Sequence, residues 1–202
     1  VIVAHLGNGA SLCALQDGKP IDTSMGFSPS GGIPMSTRSG DLDPGVLLYL
    51  QAEHGYDQPA LAQLVERESG LLGVSGATGD VRELLARAPA DAPAAQALEL
   101  FCYAICKQVG AYAAALGGID SLVFTGGVGE RSAAVRERVC QPLRFLGIQL
   151  DPQANARDAG LISARDSTVV VRVHQADEDR MIARQTYALT RNTRGALQPA
   201  AP

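Results

Sequence analysis

Hydrophobic and polar positions change period several times along the 202-residue chain, and each change marks an element. Residues 1–6 (VIVAHL) and 10–15 (ASLCAL) are apolar runs separated by Gly7, Asn8 and Gly9. Asn-Gly between apolar runs is a strong hairpin signal. Asp17-Gly18 marks a second turn and residues 20–24 read as a third strand, so the chain predicts an antiparallel three-strand meander. Residues 25–44, rich in Gly, Pro, Ser and Asp, read as a long loop anchored by Phe27, Ile33 and Met35. Helical spacing follows in 45–54, behind Pro44, and again in 59–68. Residues 69–80 read as a glycine-rich loop, 81–88 as a helix and 89–93 as an Ala/Pro linker. The longest helical pattern spans 94–116, with Leu98, Phe101, Cys102, Ile105, Val109, Tyr112 and Ala113 on one face, and Gly117-Gly118 ends it.

Residues 121–140 have another order: an apolar strand, a glycine turn, then a helix whose N-cap is Ser132. Glycines in that turn let the backbone take positive φ and admit a ligand closely. Residues 145–150 and 168–174 read as strands, and the run Val169-Val170-Val171 predicts cover on both faces. Asp177, Glu178 and Asp179 precede a helix over 181–189, and residues 190–202 carry no pattern and read as a flexible tail.

Composition narrows the classes. The chain is 46% hydrophobic and 19% charged, which suits a globular domain with a real core. A net charge of −4 supplies no bulk attraction to nucleic acid. No apolar run nears the roughly 20 residues a membrane helix needs. Cys13, Cys102, Cys106 and Cys140 lack C-x-x-C spacing and read as buried thiols of a reducing, cytoplasmic compartment. Opening at Val1 inside a strand, the chain reads as a fragment of a longer protein.

Three glycine-bearing loops carry the candidate chemistry: 7–9, 76–79 and 126–129. Each is either a plain turn or a phosphate cradle of backbone N–H groups. His5 is either a turn-facing hydrogen-bonder or a phosphate contact. Arg38, the one cation of the long loop, is either solvated, paired with an Asp, or an anion clamp. Asp80 suits an N-cap. Acids at 177–179 suit a helix N-terminus or Mg²⁺. Together these features suggest a polyphosphate site with Mg²⁺. A dinucleotide site is the alternative, with Gly127-x-Gly129-x-x-Ser132 as fingerprint and Asp151 as the ribose acid.

HLGNGAS at 5–11, DTSMGF at 22–27, TRSGDLDP at 37–44, FTGGVGE at 124–130 and DEDRMIAR at 177–184 resemble the acetate kinase family and its acyl-kinase relatives, in order and approximate spacing. The resemblance implies an α/β fold of the actin/hexokinase/Hsp70-like (ribonuclease H-like) ATPase type. It implies transfer of the γ-phosphoryl of ATP to acetate or a similar short-chain carboxylate, with Mg²⁺. It assigns ATP contacts to His5, Leu6, Gly7, Asn8 and Gly9, to Asp80, Val81 and Arg82, and to Gly126, Gly127, Val128, Gly129 and Glu130. Arg38 would be catalytic, stabilising the transferring phosphoryl, and Glu178 would serve Mg²⁺. Residues 1–189 would be the C-terminal nucleotide-binding domain of a homodimeric enzyme, a half that binds ATP without turning over acetate alone; the alternative is an incomplete, non-catalytic ATP-binding or dimerisation module. A missing N-terminal domain would carry the catalytic aspartate and cover the helix over 181–189. Ser36 stands where the family usually has Gly, and Arg131 where it usually has Asn.

Overall fold

The computed structural model describes residues 1–196, with side chains described through residue 190. The expected meander is present: β1 (Ile2–Leu6), β2 (Ala10–Gln16) and β3 (Lys19–Thr23) pair antiparallel. Leu6 lies opposite Ala10, so the first loop holds three residues. At the second turn both Asp17 (φ 52°) and Gly18 (φ 74°) are left-handed, as a type I′ hairpin requires. β4 (Ser121–Thr125) lies parallel to β1, with Ile2 opposite Leu122 and His5 opposite Thr125, and β5 (Val170–Val173) lies parallel to β4. The sheet order is β3-β2-β1-β4-β5.

Alternation directs Ile2, Ala4, Leu6, Leu12, Leu122, Phe124 and Val171 to one buried face. That face packs against the helical layer centred on α5 (Ala92–Leu116). The predicted stripe of α5 is the stripe that is buried, with Leu98, Phe101, Ile105 and Val109 sealed from solvent. β5 departs from expectation. It is an edge strand with Val170 exposed, so only one of its faces is covered.

α1 (Pro44–His54) and α2 (Gln58–Arg67) begin as read, capped by Asp43 and Asp57. In the long loop Ile33 and Met35 are buried, but Phe27 is fully exposed and anchors nothing in the described chain. The 69–80 segment contains a helix the sequence reading lacked, α3 (Gly70–Ser75). Its first amides are satisfied from far away: Leu71 N–H donates to Met35 O (2.9 Å) and Leu72 N–H to Ser36 O (3.0 Å). α4 (Val81–Arg87) follows, and α5 starts inside the expected linker because Asp91 caps it, accepting from Ala94 N.

The glycine turn after β4 is itself a helix, α6 (Gly126–Arg131). Ser132 interrupts it and caps α7 (Ala133–Cys140). Residues Gln141–Leu146 form a 3₁₀ turn in place of part of the expected 145–150 strand, with Pro142 setting its first turn and Phe145 exposed. α8 (Pro152–Ala156) precedes β5. α9 (Glu178–Ala196) begins at the acids and continues through Thr190 to Ala196, residues expected to be tail. The remaining expected tail, 197–202, lies outside the described residues. Side chains from 178 to 190 are all exposed. No helix among the described residues is long and apolar enough to cross a membrane.

Candidate functional site

β1 and β4 are parallel neighbours, so the turn after β1 and the helix after β4 emerge at the same end of the sheet. Open α/β sheets bind ligands outside the carboxyl ends of their strands. A cleft of about 380 Å³ lies there. Gly7 and Asn8 form one wall, Gly79, Asp80, Val81 and Arg82 the second, and Gly127, Val128, Arg131 and Ser132 the third. Chain segments more than a hundred residues apart thus share one cavity.

Close backbone contacts lock the walls. Gly126 has φ 77°, and a Cβ there would lie 2.7 Å from Leu6 O, so β1 and α6 meet only because residue 126 is glycine. Ser36 joins the other pair. Its N–H donates to Asn8 O (3.2 Å) and its hydroxyl to Gly79 O (2.9 Å), and a Cβ on Gly79 would collide with it. Gly127 differs: it is exposed, its φ is not positive, and nothing lies within 4 Å of where a Cβ would stand. The expectation of positive φ in this glycine run therefore holds at Gly126 alone.

Charge sits at the rim. Asp80 caps α4, accepting from Arg82 N (2.8 Å) and Glu83 N (3.4 Å), and it pairs with the exposed Arg82 guanidinium at 2.8 Å. The Arg82 side chain and amide hold the Asp80 carboxyl down to about 2. Arg131 is exposed and pairs with no described acid. The Arg38 guanidinium stands outside the cleft wall, within 3.4 Å of where a Gly9 Cβ would be. Its Nη1 donates to Pro29 O (3.2 Å), and no described carboxylate pairs with it.

Seven of the sequence-read residues line the cleft: Gly7, Asn8, Asp80, Val81, Arg82, Gly127 and Val128. The rest do not. Leu6, Gly126 and Gly129 are buried behind the walls, and His5 lies half-buried in the sheet opposite Ser11 and Thr125. Glu130 is engaged by backbone: Oε1 accepts from Gly126 N (3.0 Å) and Ala176 N (2.9 Å). Through Ala176 that carboxylate ties α6 to the segment leading into Glu178. Glu178 is exposed at the start of α9, while the neighbouring Asp177 carboxylate is occupied by Arg180 N (3.0 Å). Among the described residues no three His, Cys, Asp or Glu side chains converge as a metal site.

A larger groove of about 830 Å³ runs along α5 past Leu100, Tyr103, Cys106 and Arg138. No glycine lines it, unlike the smaller cleft at the strand ends. Burial pushes Cys102 up to about 11 and Cys140 to about 12, leaving both as neutral packing groups at ordinary pH.

Residues 1–184 match the model of the acetokinase family. The chain belongs to the acetokinase family. It is 51% identical over 191 residues to an acetate kinase of Rhodopseudomonas palustris (strain TIE-1), covering 94% of this chain and 48% of that protein. It is 49% identical over 190 residues to a propionate kinase of Citrobacter rodentium, covering 94% of this chain and 47% of that one. The crystal structure of Porphyromonas gingivalis acetate kinase superposes with a TM-score of 0.89 at 44% identity, over 94% of this chain and 48% of that chain. The acetokinase fold is thus the actin/hexokinase-like ATPase fold. The chain spans about half the length of the curated relatives it matches.

Membership in the acetokinase family, with a sheet in which β1 runs antiparallel to β2, overturns the dinucleotide alternative, which needs a parallel sheet. Asp151 in that reading was a ribose ligand; here it caps α8, accepting from Gln153 N and Ala154 N at 2.9 Å. What sequence reading missed is the support behind the cleft, above all the buried Arg136. Its one sequence signal is spacing: it falls on the face of Ala133, Val139 and Cys140, an apolar stripe where a charge needs partners.

Proposed function

We propose that this chain is the nucleotide-binding part of an ATP-dependent carboxylate kinase acting on acetate or a similar short-chain acid. The observation that carries the reading is the convergence of three glycine-bearing stretches, 7–8, 79–82 and 127–132, on one cleft at the carboxyl end of β1 and β4. In-line phosphoryl transfer asks a protein mainly for positioning and neutralisation of charge. Backbone N–H groups of Asn8 and Gly127 would hold the phosphates, with Gly7, whose own N–H donates to Gly9 O (3.0 Å), letting them approach closely, and Asp80–Arg82 and Val128 against the nucleoside. Arg38, held beside Gly9 by Pro29 O, would stabilise the transferring phosphoryl.

For Mg²⁺ the chain offers a partial donor set. Glu178 is an exposed carboxylate two residues past an Ala176 amide tied to α6 through Glu130. Mg²⁺ commonly takes one or two protein carboxylates and completes its shell with phosphate oxygens and water, which suits Glu178. Bound there, the ion would screen phosphate charge.

The acyl pocket and the facing wall would come from the portion of the longer relatives that this chain does not span, in a homodimeric parent. Apolar positions left exposed on α1 (Val46, Leu48, Tyr49) and on α9 (Met181, Ile182) are suited to cover by such surfaces. In a single-turnover assay with ATP, Mg²⁺ and acetate, trapped by hydroxylamine, this chain alone should form no acyl phosphate. Acyl phosphate from the chain alone would contradict the division of the site.

A further inference from the structure

Arg136 heads the fully buried side chains of the described molecule, and all five N–H donors of its guanidinium are used. Nε donates to Asn155 Oδ1 (2.7 Å), and Nη1 to Gly129 O and Glu130 O (both 2.9 Å). Nη2 donates to Asn155 O (2.7 Å) and to the Asp158 carboxylate. Asp158 is the one charged acceptor, and it is part-exposed. A buried guanidinium is tolerable only with such a complete set of partners.

Gly129 O and Glu130 O belong to the last turn of α6, whose carbonyls have no partners within the helix. α6 is six residues long and contains three glycines, so it is too short and too glycine-rich to hold its own shape. Its position must be imposed from outside. Glu130 fixes one end through Gly126 N, and Arg136 fixes the other from the neighbouring helix. Neither Arg136 nor its anchors line the cleft that α6 walls.

We propose that Arg136 is the positioning residue of the nucleotide cleft. It sets the α6 wall from behind through the Gly129 and Glu130 carbonyls, and Asn155 and Asp158 anchor its fork. The ligand's identity rests on the carboxylate-kinase reading above; the positioning of α6 does not. A lysine cannot replace the fork, because an ammonium is a single point donor group.

The test compares Arg136→Lys, Asp158→Asn and Asp91→Asn with the unaltered chain. Asn at 158 suits that residue's left-handed backbone (φ 51°). Asp91→Asn removes a carboxylate from another arginine pair, Arg87–Asp91, neither member of which lines the cleft or bonds to α6. Hydrogen–deuterium exchange of amides 127–131 is read without nucleotide, and Mg-ATP affinity is read by calorimetry. Arg136→Lys should speed exchange at 127–131 relative to the β1 and β4 amides and weaken Mg-ATP about tenfold. Asp158→Asn should weaken it about threefold although Asp158 lies outside the cleft, and it decides the matter if Arg136→Lys does not fold. Asp91→Asn should move neither readout, whatever it does to the melting temperature. Unchanged exchange at 127–131 in both Arg136→Lys and Asp158→Asn would overturn the proposal, as would unchanged affinity in both. If the unaltered chain takes up no Mg-ATP, the kinase reading fails, and the exchange data alone decide whether Arg136 positions α6.

Discussion

At the scale of single residues, the cleft depends on a division of labour between adjacent glycines. Gly126 is required by geometry, with φ 77° and β1 backbone 2.7 Å from any added Cβ. Gly127 is not; its surroundings are open. Gly126→Ala should therefore cost about 1–3 kcal/mol of stability. Gly127→Ala should leave it unchanged or raise it by up to about 1 kcal/mol, because it stands in a helix. Urea unfolding of the two variants checks this; equal losses would contradict the assignment. The sequence marked both positions as one glycine run and could not tell them apart. The difference comes from Leu6, which approaches residue 126 through sheet pairing 120 positions away in the chain. Arg136 was hidden for the same reason. Its helical neighbours hint at burial, but its partners at 129, 130, 155 and 158 become visible only when α8 is placed.

At the scale of elements, local chemistry was readable wherever it was sufficient. Asp17-Gly18, left-handed at both positions, set the second hairpin, the three-residue Gly7-Asn8-Gly9 loop closed the first without positive φ, and the stripe from Leu98 to Ala113 set α5. α3 escaped because its glycines read as loop and its first amides are satisfied by Met35 and Ser36, more than thirty residues upstream. The end of the 3₁₀ turn at Gln141–Leu146 escaped because Phe145 and Leu146 open an apolar run that continues through Ile148 and Leu150, while Pro142 sets a helical turn. Asp80 shows an element's end acting at the site. It caps α4 and forms the cleft rim, and Arg82 lowers its folded pKa to about 2, below the usual carboxylate range near 4. A depressed acid stabilises the fold fully above its unfolded pKa, and that contribution is lost as pH falls through the folded value. The stability difference between the chain and Asp80→Asn should thus shrink between about pH 4 and pH 2, measured as melting temperature against pH. Because Asp80 and Arg82 are both solvated, the difference should be small at every pH. A difference that stays constant across that window would contradict the cap-and-pair assignment.

At the scale of the whole molecule, one helical layer on one sheet face leaves the cleft at the open end of β1 and β4, with residues 178–190 of α9 exposed. Fold class and family were legible in the five motifs, because each marks a place where backbone approaches backbone or carries a cap. Which motif residues face the cleft was not legible, since facing depends on how α4 and α6 pack across the sheet end. The central claim is that this cleft holds ATP. Calorimetric titration of the chain with Mg-ATP, beside Gly127→Val, tests it most directly. Binding to the unaltered chain and none to Gly127→Val is the expected result, because the isopropyl group would fill open cleft space where the proposal puts the phosphates. Equal binding by both, or no heat from the unaltered chain, would contradict the account.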